Sequence, residues 1–211
     1  ILFGNLTALS QRNIKRMMGL SGIAHAGYLL VGLIAAFHVP EMATRALLFY
    51  LSVYLLASYA IFGVMTFHAG SIDAEQEIDD YANFGKNHPT QGFVLVIGLA
   101  SLAGIPPFGG FIGKLLLFMA AWKAGLHLLL LIAVIGVASS IFYYFGWIQE
   151  ATFMTWKVKD PTGPEVDEPK PEKKTAGMSP IFLWTLVLLT ALTIVLGFYQ
   201  EFLPVLGATG Q

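Results

Sequence analysis

The sequence predicts an all-α fold, a polytopic bundle of transmembrane helices in which one span is broken. Three observations predict it. Of 211 residues, 56% are hydrophobic and only 12% charged, with a mean hydropathy of +0.68. A soluble chain averages roughly 45–50% apolar and 25% charged residues. The apolar residues also gather into windows of about 20, long enough to cross roughly 30 Å of hydrocarbon as helix. One such window, residues 92–122, is interrupted midway by Gly104-Ile-Pro-Pro-Phe-Gly-Gly-Phe-Ile-Gly-Lys114.

Residues 1–9 read as the tail of an apolar span with no basic leader, so the chain is expected to be the C-terminal part of a longer protein. From Asn5 the tail grades into a polar segment carrying Arg12, Lys15 and Arg16. Residues 17–37 span, residues 38–43 turn at Pro40, and residues 44–67 span back. An acidic connector comes next, in which Ile78, Tyr81, Ala82 and Phe84 share one apolar face of a short interfacial helix ending at Gly85. Residues 92–122 would be roughly 46 Å as one straight helix, too long for a simple crossing, which favours two half-helices joined at the Pro-Pro and Gly-Gly break. Residues 126–148 span again. Residues 151–178, with Pro161, Pro164, Pro169 and Pro171 among mixed charges, form a flexible linker. Residues 179–203 close the chain, with Pro180 suited to a first helical turn.

Basic residues partition unevenly between the two ends of this bundle. One end holds Arg12, Lys15, Arg16, Lys86, Lys157, Lys159, Lys170, Lys173 and Lys174, and the other holds Arg45 and Lys123. The basic loops are therefore expected to be cytoplasmic and the C-terminus outside. A net charge of -1 gives no basic footprint for nucleic acid. With no cysteine, disulfides, thiolate catalysis and iron–sulfur ligation are excluded. His38, His68, His88 and His127 lie in loops or at span ends without metal-ligand spacing. Glycines 104–113 sit in an apolar run rather than between strand and helix, so they are not a phosphate loop. Trp122, Trp147, Trp156 and Trp184 mostly fall near span ends, where the interface favours them.

Lys114 is the leading candidate for chemistry. An ammonium at mid-membrane costs at least about 2.5 kcal/mol, and a helix broken in lipid leaves backbone groups that only protein or water can satisfy. An amine stripped of water exchanges its proton more readily than one in solvent. The competing reading is an amine that snorkels to an interface or neutralises a fixed carboxylate. His25, in Ser21-Gly-Ile-Ala-His-Ala-Gly-Tyr28, titrates in an accessible range and suits a relay; an interhelical packing bond on a small-residue face is the alternative. Ser21 and Tyr28 are candidates for ordering water. Tyr143 and Tyr144 lie deeper than an aromatic belt, so at least one is expected to face the interior. Lys15 belongs to the topological charge cluster and is also placed to guard a proton mouth.

Residues 9–28, Leu9-Ser-Gln-Arg-Asn-Ile-Lys-Arg-Met-Met-Gly-Leu-Ser-Gly-Ile-Ala-His-Ala-Gly-Tyr28, together with the interrupted stretch from Gly104 to Lys114, resemble the antiporter-like membrane subunits of respiratory complex I, most like the subunit N branch that corresponds to mitochondrial subunit 2. The resemblance covers essentially the whole chain. It implies two inverted five-helix repeats, each with a broken helix, of which this chain holds most of the second repeat and the last helix. It places Lys114 and His25 on a proton route and implies a proton-translocating subunit of an NADH:quinone oxidoreductase in the inner (plasma) membrane. Such a chain binds no cofactor itself; NADH, flavin, iron–sulfur clusters and quinone belong to the complex. Its partners are other membrane-arm subunits and lipid, in a hetero-oligomer. The alternatives are a subunit of a multisubunit cation/proton antiporter or membrane-bound hydrogenase, or a structural scaffold. Ser21-Gly22 departs from the serine pair common in this family, and neither that nor the Pro-rich linker touches Lys114.

Overall fold

The computed structural model describes residues 1–69, 76–152 and 179–198. The expected linker of residues 151–178 lies almost wholly outside them, as do Trp156 and residues 199–203. Eight helices are described: α1 (Leu2–Leu9), α2 (Ile14–Ala36), α3 (Pro40–Ala69), α4 (Phe84–Asn87), α5 (Pro89–Ala103), α6 (Gly109–Lys123), α7 (His127–Thr152) and α8 (Pro180–Phe198). Among the described residues none forms a strand; a single bridge joins Asn13 and Glu77. Four helices, α2, α3, α7 and α8, are long and apolar enough to cross a membrane. Helices α5 and α6 have 15 residues each, about 22 Å apiece, so each falls short of the hydrocarbon thickness and the two cross it only as a pair.

Local chemistry explains most boundaries. Asn13 caps α2 by accepting a hydrogen bond from the Arg16 amide at 3.1 Å, which starts that helix three residues before the expected span. Pro40 does not turn the chain after α2. It begins α3, because a first-turn residue has no intrahelical use for the N–H that proline lacks, and the turn shortens to residues 37–39. Pro89 and Pro180 open α5 and α8 in the same way. Helix α6 stops where Gly125 adopts φ +74° and Leu126 N–H reaches back to the Ala121 carbonyl at 2.9 Å.

Three further expectations are corrected. The segment before α5 is not one interfacial helix ending at Gly85. It is a 3₁₀ turn (Ile78–Tyr81), then Asn83 in the left-handed region at φ 58°, then the single turn of α4. That reversal turns Ala82 outward while Tyr81 and Phe84 stay buried. Trp147, near the end of α7, does not face outward as a belt residue would: it is fully buried, edge-on to Tyr81 at 5.2 Å, because this connector folds over the end of α7. Trp122 and Trp184 are exposed, as a belt requires. Asn5, finally, is not part of a polar connector but lies inside α1, fully buried.

The connector ties one end of the bundle together. Ile14 N–H donates to the Gln76 carbonyl and Ile78 N–H to the Arg12 carbonyl, both at 3.0 Å, while Asn83 N–H reaches the Glu150 carbonyl at 3.3 Å. Tyr81 donates to Gln76 Oε1 at 2.7 Å, and Gln76 Nε2 donates to the Met65 carbonyl at 3.2 Å. Burial pushes the Tyr81 hydroxyl above its ordinary value, so it remains a donor at neutral pH. The N-terminus of α2 and the ends of α3 and α7 therefore share one side, as the expected alternation of spans requires.

Small residues let helices approach closely. A Cβ on Gly110 would sit 1.8 Å from the Ser101 carbonyl oxygen, whereas one on Gly146 would meet nothing within 4 Å. Gly110→Ala should accordingly destabilise the subunit by about 1–3 kcal/mol, seen as earlier thermal dissociation of the detergent-solubilised protein. Gly146→Ala should stay within about 0.5 kcal/mol; equal behaviour of the two variants would contradict this packing.

Candidate functional site: the break and its polar cluster

The site begins at the C-terminus of α5. Gly104 leaves the helix at φ +83°, and the helix closes on itself as Gly104 N–H bonds the Ala100 and Ser101 carbonyls and Ile105 N–H bonds Ala100. This closure satisfies two of the last carbonyls and leaves those of Leu102 and Ala103. Lys114 takes both. Its Nζ donates to the Leu102 oxygen at 2.7 Å and to the Ala103 oxygen at 3.1 Å. The partial negative charge at a helix C-terminus suits an ammonium, so the second half-helix supplies the cap that the first one lacks. Ser101 Oγ accepts from Gly110 N–H at 3.1 Å and ties the two halves together.

Lys114 is 3% exposed. The amine therefore does not snorkel, and among the described residues no carboxylate pairs with it. The ring of Tyr28 faces Nζ, with its centroid 5.4 Å away.

A second polar group shares Tyr28 with it, the imidazole centroid lying 6.0 Å from that ring. His25, 2% exposed, shares a hydrogen bond of 2.6 Å between Nδ1 and the Tyr50 hydroxyl, and Nε2 lies 3.3 Å from the Tyr144 hydroxyl. Tyr144 in turn bonds Ser21, one turn from His25 on α2. Tyr54 stacks on the imidazole at 4.7 Å. Tyr143 packs against the Tyr144 ring at 4.4 Å and donates to Asn5 Oδ1 at 3.1 Å, while Asn5 Nδ2 donates to the Tyr28 hydroxyl at 3.3 Å. The structure thus brings Lys114, His25, Tyr143 and Tyr144 into one buried region, with Ser21 and Tyr28 among them. Of the two tyrosines of α7, at least one was expected to face inward, and both do.

Lys15 is not part of this group. It sits half-buried in the first turn of α2, ten residues and about 15 Å along the axis from His25. Three members of the cluster, Asn5, Tyr50 and Tyr54, escape sequence reasoning. Tyr50 and Tyr54 stand four apart on one helical face in mid-span, a pattern that marks a polar stripe. Asn5 carries no comparable signal, because a single amide near a chain end reads as solvent-facing. No cluster of side chains with metal-ligating character occurs among the described residues.

Residues 1–141 match the family described as NADH:quinone oxidoreductase/Mrp antiporter, TM. The chain belongs to this family. It is 51% identical over 201 residues to NADH-quinone oxidoreductase subunit N 1 of Opitutus terrae, covering 95% of this chain and 38% of that protein. It is 41% identical over 148 residues to subunit N 2 of Solidesulfovibrio magneticus, covering 70% and 31%. The chain therefore spans roughly a third to two-fifths of the length of these relatives. Among solved structures it superposes on respiratory complex I from Thermus thermophilus with a TM-score of 0.76 at 30% identity, covering 96% of this chain and 42% of that one. An Mrp complex from Dietzia gives the same TM-score at 20% identity, covering 97% and 43%, which speaks for the shared antiporter-like fold alone. Within this family, the break and the lysine beyond it are thus parts of a transmembrane helical bundle.

Tyr50→Phe would strip the buried His25 Nδ1 of its partner. The expected cost is about 1–3 kcal/mol, read as a lower melting temperature than for Tyr59→Phe, whose ring is 62% exposed. Equal melting temperatures would contradict the His25–Tyr50 bond.

Proposed function

We propose that the chain is part of a proton-translocating, membrane-arm subunit of an NADH:quinone oxidoreductase, and that Lys114 is its proton carrier. The observation that carries the proposal is the Lys114 amine, buried without a carboxylate partner among the described residues and held by the two open carbonyls of the break. Two opposing effects act on that nitrogen. Loss of water works against the charged form, and the aligned carbonyls of α5 work for it. A site balanced in this way changes its proton occupancy when a nearby charge changes, which is what coupling to a distant redox reaction requires.

His25 is the relay partner, since both ring nitrogens are engaged by hydroxyls and either tautomer can be supported. Tyr144 and Ser21 extend that string, and Tyr143, against the Tyr144 ring, carries it on to Asn5. Lys15 has the place of a mouth residue at the basic end, where it also serves as a topological anchor. On this reading the chain moves protons and does no redox chemistry. NADH, flavin, iron–sulfur clusters and quinone are handled by other subunits of a hetero-oligomer, and the relatives named as subunit N support that assignment. The basic loops face the cytoplasm and the C-terminus the opposite side of the inner membrane, by the asymmetry of lysine and arginine. The described helices correspond to most of the second repeat of a longer, two-repeat subunit. A cation/proton antiporter subunit is the second reading, since the family description names both kinds of complex; the Mrp superposition bears on the fold alone.

The test uses the intact complex in sealed membrane vesicles, with proton movement and electron transfer recorded together. Lys114→Met should lower the protons moved per electron, the step through this site slowing on the order of 10²-fold or more. Lys114→Arg keeps a charge but holds its proton too firmly to exchange it, so it should behave like Lys114→Met. An unchanged ratio in Lys114→Met refutes the carrier role. Normal pumping by Lys114→Arg would leave Lys114 only a fixed charge.

A further inference from the structure

We propose that Tyr28 positions the Lys114 amine: its ring, fastened at the hydroxyl by Asn5, holds the ammonium against the break and beside His25. The inference rests on the proton-carrier reading of Lys114 and adds a residue to it.

Among the described residues the ammonium has two carbonyl acceptors, both from α5, and one aromatic face, from α2. The carbonyls fix it along the direction of the break. The ring fixes it on the side that leads to His25, because Tyr28 lies edge-on to that imidazole at 6.0 Å and 74° and to Tyr50 at 6.4 Å and 85°. Tyr28 thus touches both the carrier and the relay cluster, and it is 1% exposed. An aromatic face attracts a cation and offers a neutral amine no such electrostatic pull. The ring therefore acts on the loaded state and releases the amine once its proton has gone.

For this to work the ring must stay in place. Four contacts hold it: the edge-on rings of His25 and Tyr50, Phe118 at 6.4 Å, and the hydrogen bond from Asn5 Nδ2 to its hydroxyl at 3.3 Å. Asn5 is itself held by Tyr143 at its carbonyl oxygen. This gives α1 a task. It is the shortest of the helices reaching the cluster, and the side chain it delivers there is this buried amide.

The experiment compares Tyr28→Phe, Tyr28→Leu and Lys114→Met in the intact complex, measuring protons moved per electron and the amount of assembled complex. The ring is kept in the phenylalanine variant and lost in the leucine one. Tyr28→Phe should retain most of the wild-type ratio, while Tyr28→Leu should assemble and fall toward the Lys114→Met value. A ring that only fills space would instead change assembly and leave the ratio untouched. If Tyr28→Leu does not assemble, Tyr28→Met, whose flexible side chain refills the space, takes its place. Failure of both apolar variants to assemble, while Tyr28→Phe assembles and pumps, makes the ring a packing element and overturns the proposal. So does a wild-type ratio in Tyr28→Leu, or a Tyr28→Phe as impaired as Lys114→Met. A wild-type ratio in Lys114→Met itself removes the carrier reading and this inference with it, and is distinct from the case in which Lys114→Met fails to pump and Tyr28→Leu does not.

Discussion

The charge–dipole contact between Lys114 and the open end of α5 sets the conditions that the rest of the bundle has to meet. Breaking a helix inside hydrocarbon exposes carbonyls that lipid cannot satisfy, and burying an ammonium strips it of water. Each defect is the remedy for the other. The chain closure at Gly104 consumes the Ala100 and Ser101 carbonyls and leaves those of Leu102 and Ala103 for the amine. Any side chain on Gly104 would crowd Lys114, 3.1 Å from its Cδ, in addition to straining a backbone at φ +83°. The break is therefore not loose structure but a fitted socket.

A socket of this kind must be walled by protein. Helix α8 supplies one wall, lying so near the break that a Cβ on Gly197 would be 2.1 Å from the Pro107 carbonyl oxygen. Helix α3 supplies another, packed on Gly113 through Tyr50, so that the same tyrosine that holds His25 also covers the half-helix carrying Lys114. Helices α2 and α7 bring the imidazole and the paired tyrosines, and α1 brings Asn5. The superpositions on complex I and on an Mrp complex trace the same chain path as this bundle. In this chain the physical core is a break, a capping amine and enough neighbouring helices to keep both out of lipid.

How much of this is legible in the sequence depends on whether the signal is local. The spans, the break and the buried lysine are legible because each is a statement about a short stretch of chain and its cost in hydrocarbon. The prolines that open α3, α5 and α8 are partly so. Pro180 reads as a first-turn residue and is one, whereas Pro40 reads as a turn and instead opens a helix, since proline suits both places and only the packing of the next residues distinguishes them. The connector misleads for a similar reason. Its apolar spacing suits a helix, and a single left-handed residue, Asn83, reverses the chain before one can form.

What the sequence by itself determined was the solvent and the stakes. Its apolar windows required a bilayer, its interrupted window required a break, and Lys114 in that window required a partner. What the partner is, only the tertiary structure decided: among the described residues the lysine is bonded to backbone of its own broken span and faces a ring from α2, and no carboxylate pairs with it. The same holds for Trp147, drawn inward by the fold of the connector, and for Asn5, whose burial depends on helices distant in sequence. Hydrogen-bond partners and ring contacts are relations between elements, and hydropathy, which scores each stretch against its solvent, carries no record of them.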